Sequence, residues 1–126
     1  MEQKIVGAWS WTYIEGQGRM VFTADHKVKE GFPPEENPGR PLRDDDFMYL
    51  QAGSWRLEGD VLVTEIDNSP DIAWYDRTFR DASEEMRQRE RPKLEKKVER
   101  QKIVKIDSEK MVFADGSSLD RDTRVK

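Results

Sequence analysis

Apolar residues in this chain recur mostly with a period of two, the period of a strand that shows alternate side chains to opposite faces. Residues 5–14 are rich in β-branched and aromatic side chains, with Trp9, Trp11 and Tyr13 on one parity and therefore on one face. The glycines of Glu15-Gly16-Gln17-Gly18 mark a turn, and 20–23 reads as a second strand. Asp25-His26 is a tight turn into 27–29, since Asp and His visit the left-handed region more readily than most residues. Four prolines between 31 and 41 predict a long irregular loop, which 42–46 extends. Strand character resumes over 47–57, where Gly53 predicts a bulge or bend. Glu58-Gly59-Asp60 then turns the chain into 61–66, the clearest hairpin in the sequence.

Residues 67–81 read as a turn-rich connector carrying Trp74, Tyr75 and Phe79. Asp81, with Glu84 three positions on, predicts the start of a short surface helix that runs to Arg91 and stops at Pro92. Strands over 96–106, 111–114 and 118–125 complete a set of eight, joined by turns at 107–110 and 115–116. Eight consecutive antiparallel strands must manage their edges, and closing into a barrel abolishes them. The predicted fold is all-β: an eight-stranded up-and-down antiparallel β-barrel with one short helix between strands 5 and 6. At 126 residues the chain is a single domain, 1–126, on ordinary size priors.

Several of these segments resemble the lipocalin (calycin) superfamily, and in particular small bacterial lipocalin-like domains. Gly7-Ala8-Trp9 is similar to the Gly-x-Trp signature of the first strand. Phe22-Thr23-Ala24-Asp25 followed by Val28 resembles the second hairpin, with His26 where those domains usually have Gly. Residues 55–62 resemble the mid-chain hairpin, and 103–111 with Asp115-Gly116 and Arg121 the C-terminal ending. The likeness spans most of the chain except 31–46 and 67–95. It implies a structural closure in which Gly7 and Trp9 meet an arginine from the far end, Arg121 or, one register over, Arg124. A guanidinium over an indole is worth about 0.5–2 kcal/mol.

Composition narrows the chemistry. With no Cys, the chain has no disulfide, no Cys-ligated metal and no thiol nucleophile; its single His excludes any site that needs two imidazoles. The net charge of −4 argues against nucleic-acid binding, and basic and acidic side chains interleave over 84–102 as on a solvated face. No apolar run spans a bilayer, and the N-terminus does not read as a signal peptide, which points to the cytoplasm. His26 reads as an exposed turn residue and Asp44-Asp45-Asp46 as a solvated loop without the ligand spacing of a calcium site. Glu65, Asp67, Asp71 and Asp76 show no pairing for acid–base work, and there is no serine elbow or phosphate loop. The expectation is therefore no enzyme, no metal and no cofactor.

Two functions remain. In one, Trp11, Tyr13, Phe22 and Trp55 line a pocket for a small apolar or amphipathic ligand, and Trp74, Tyr75 and Phe79 form a lid over its mouth. In the other, the same rings simply fill the barrel. The protein is then an interaction module, open to homo-oligomers, acting through 31–46, 72–79 or 84–102.

Overall fold

A computed structural model describes residues 2–13, 16–34 and 39–122, with backbone alone at 13, 16 and 17. Eight strands, β1 (Gly7–Tyr13), β2 (Gly16–Phe22), β3 (Lys27–Phe32), β4 (Met48–Glu58), β5 (Val61–Asp67), β6 (Lys96–Ile106), β7 (Lys110–Phe113) and β8 (Ser118–Arg121), succeed one another in sequence and in space. Each pairs antiparallel with the next, and β8 returns to β1 through Trp9↔Arg121 and Ser10↔Asp120. The result is a closed up-and-down barrel, as the strand count predicts.

Strand limits differ from the sequence reading chiefly in the first three strands; β7 is also shifted one residue earlier, and β8 ends at Arg121, with 123–126 outside the described residues. The chain enters β1 only at Gly7, because Glu2–Ile5 forms a helical turn, α1, that tucks Ile5 into the core. β2 starts at Gly16 rather than residue 20, and β3 runs on through Gly31 and Phe32, which the prolines behind them had suggested were loop. Gly53 is no bulge: it pairs regularly with Val28 and Ile66. Its missing side chain matters for another reason, since a Cβ there would overlap the Glu65 carbonyl. The irregularity lies between Glu30 and Gly31, where β4 passes Leu50 without a partner. His26 does hold the left-handed turn, at φ 66°.

The stretch between β5 and β6 is more helical than its turn residues suggested. Ser69–Thr78 is a helix, α2, and not a connector. Pro70 in its first turn and Asp71 beside it suit a helix N-terminus, where the missing N–H costs nothing and negative charge meets the dipole. Ile72 and Tyr75, three apart on one side of the helix, are its buried residues, and the helix packs against β4. A second helix, α3 (Glu84–Glu90), is capped by Ser83, whose Oγ accepts from the Met86 N–H at 3.2 Å. The cap is thus two residues later than Asp81, and the hydroxyl reaches the third helical amide. No helix among the described residues is long and apolar enough to cross a membrane.

Inside the barrel, Trp9, Trp55, Phe22, Leu62 and Met111 are all at or below 2% exposure. An aromatic ring of this size removes about 150–250 Å² from water, roughly 4–6 kcal/mol of transfer free energy before ordering costs. Two buried tryptophans therefore supply much of a core that is otherwise short of aliphatic side chains.

Candidate functional site

The barrel has one shut end and one open end. At the shut end the Arg121 guanidinium lies 3.9 Å from the centre of the Trp9 ring. It also donates to the carbonyls of Lys4 (2.9 Å), Val6 (3.1 Å) and Ser108 (3.3 Å), while Trp9 Nε1 donates to Ile5 O at 2.8 Å. Those of Lys4, Ile5 and Val6 are carbonyls at the end of α1 that no further helical turn can satisfy. Gly7 sits here at φ +132°, and any Cβ would run into the guanidinium. Arg124 lies outside the described residues.

At the other end is a cavity of about 260 Å³, near the low limit of ligand-pocket sizes. Its inner wall is apolar: Trp11, Met20, Phe22, Leu62, Phe113 and Leu119. Gly18 faces Trp11 across the β1–β2 pair, and its bare backbone gives the indole room that a Cβ would take away. The Trp11 ring then meets Phe32 edge-on at 6.2 Å.

Polar residues complete the lining: Glu30, Thr64, Lys97, Glu99, Gln101, Ser117 and Ser118. Those from β6 occupy alternate positions, in phase with buried Ile103. The β6 part of the charged stretch read as a solvated face thus turns every second side chain toward the lumen. Lys97 Nζ pairs with Glu99 Oε1 at 3.0 Å, which holds the ammonium above its ordinary pKa. Their side chains are 64% and 42% exposed, so they mark the mouth.

Glu30 is different. It shares a parity with buried Val28 and is half-buried, and its carboxyl makes no hydrogen bond or close ion pair among the described residues. Burial pushes that carboxyl above the ordinary range, against the pull of Lys97 and with the push of Glu99.

Of the four expected wall residues, Trp11 and Phe22 line this cavity. Trp55 does not: it is buried deeper in the core, donating from Nε1 to Thr23 O at 3.0 Å with Phe22 edge-on at 5.9 Å. The side chain of Tyr13 lies outside the described residues. Trp74, Tyr75 and Phe79 belong to α2 and its C-terminal cap, with Phe79 4.8 Å from Tyr75 and 6.4 Å from Trp74. None of the three lines the cavity, and α2 lies along β4.

The remaining candidates have structural partners. His26 lies 3.2 Å from Glu2 and stacks edge-on against Trp55 at 4.8 Å. Asp44–Asp46 is a 3-10 turn in which Asp46 grips Arg40 through both oxygens at 2.8 Å and accepts from Arg43 N. Arg40 accordingly holds the Asp46 carboxyl down at about 2. Asp44 accepts from the Tyr49 hydroxyl at 2.6 Å and meets Lys29 at 3.1 Å. Asp76 is clamped by Arg91 at 2.9 and 3.0 Å, joining α2 to the C-terminal cap of α3. Asp67 accepts from Ser69, and Glu65 lies 3.9 Å from Arg56. Among the described residues no group of His, Asp or Glu could hold a metal ion.

A closed eight-stranded antiparallel barrel with an internal cavity opening at one end is the architecture of this chain, and it is consistent with a calycin-like fold. Compared with protein families, with curated proteins and with solved structures, the chain matches none of them.

Proposed function

We propose that this protein is a lipocalin-like binding protein that holds a small amphipathic molecule inside its barrel without acting on it chemically. The cavity carries the reading: an apolar inner wall topped by polar side chains suits a guest with a greasy body and one polar end. A barrel that served only as a scaffold for surface contacts would gain from filling that volume, because unfilled apolar space forfeits packing energy. Catalysis would ask for a second group poised beside Glu30, and Glu99 is instead engaged by Lys97.

The test fills the cavity from within. Small aromatic alcohols and amines titrated against tryptophan fluorescence should give a saturable change in the native protein. Leu119→Phe should weaken it about tenfold or more by occupying the same volume. A flat native titration, or one indifferent to Leu119→Phe, would remove the reading.

A further inference from the structure

The cavity is not evenly charged, and its asymmetry points to the kind of guest it takes. Among the described residues three ionic side chains face it, and two are acids. Lys97 is paired with Glu99 at the exposed rim, so those charges largely cancel. Glu30 remains, set further in and on the opposite wall, its carboxylate without a hydrogen-bond donor among the described residues. An ionised carboxylate partly removed from water gains most from a donor that brings positive charge with it.

We infer that the guest is a small hydrophobic amine, seated with its ammonium on the Glu30 carboxylate and its apolar body against Trp11, Phe22 and Leu62. This rests on the binding reading above and narrows it. The alternation of β3 is what delivers the acid: Val28, Glu30 and Phe32 share the inward parity, so the carboxylate rises between two apolar side chains. Trp11 supports the same polarity, because the face of an indole attracts a cation and repels an anion. Among the described residues an anionic guest has one basic lining side chain to use, already engaged by Glu99 and mostly in water. The net charge of −4 also draws cations toward the surface and repels anions.

The experiment compares three probes of one shape and different charge: 2-phenylethylamine, 2-phenylethanol and 3-phenylpropanoate, each titrated calorimetrically at pH 7 into the native protein and into Glu30→Gln. The amine should bind about tenfold or more tightly than the alcohol, the value of one charge-assisted contact, and the carboxylate should bind weakest. In Glu30→Gln the amine-to-alcohol ratio should fall to about one. Should that variant fail to fold, the native ratio decides alone. The inference is overturned if the alcohol or the carboxylate matches the amine, or if the amine's advantage survives Glu30→Gln. In those cases the cavity still takes guests and only their class is wrong. If none of the three binds the native protein at millimolar concentration, the amine inference and the binding reading fall together.

Discussion

Glu30 shows how a site can be kept at the expense of stability. Its carboxyl is raised above the ordinary 4.5 chiefly by burial. Between that ordinary value and the folded one, the folded protein keeps a proton that the unfolded chain has released. Stability therefore falls as pH rises through that window, and the loss is complete above the folded value. Glu30→Gln removes the penalty. The variant should melt at a higher temperature than the native protein at pH 7, and the gap should close by about pH 4 as both forms become neutral. Thermal melts at the two pH values check this; an equal or lower melting temperature for Glu30→Gln at pH 7 contradicts it. The sequence offered the signal for this residue in plain view, since Glu30 keeps the parity of Val28. It was hidden because the prolines just beyond made residues 31 and 32 look like loop, which cut the strand short of the acid's own ladder.

Among the elements, α1 is tied to the rest of the barrel in part by a side chain more than a hundred residues away. Arg121 spans α1, the start of β1 and the β6–β7 turn through three carbonyls and one indole face. Arg121→Ala should cost about 2–4 kcal/mol in urea denaturation, from the lost cation–π contact and the carbonyls left without donors. Arg121→Lys should recover less than half, because an ammonium cannot fork to several acceptors while lying flat on a ring. A loss under about 0.5 kcal/mol for the alanine variant would show that the end is held otherwise. The Leu57–Val61 hairpin was legible because turn chemistry and alternation act within a few residues. The α2 helix was not, since Asn68, Ser69, Pro70 and Asp71 serve equally as turn formers and as a helix start. What decides between them is the packing of Ile72 and Tyr75 on β4, a partner no local window contains.

For the molecule as a whole, closure is what makes one end a floor and the other a mouth. The β1–β8 seam brings Trp9 to Arg121, and the up-and-down order places Trp11, Glu30, Lys97 and Ser117 at the opposite end. The eight-strand count and the inward aromatics were readable from period-two alternation. The cavity was not, because its volume depends on how Trp55 withdraws into the core while Trp11 rides over Gly18. The most direct measurement is a two-dimensional ¹H–¹⁵N NMR titration with 2-phenylethanol, a guest neutral enough to test the cavity apart from its charge. Saturable shifts should centre on Trp11, Phe22, Leu62, Thr64 and Phe113 while Trp74 and Leu94 stay in place. Shifts gathered on α2 or α3, with the lumen unmoved, would contradict a barrel that works by what it encloses.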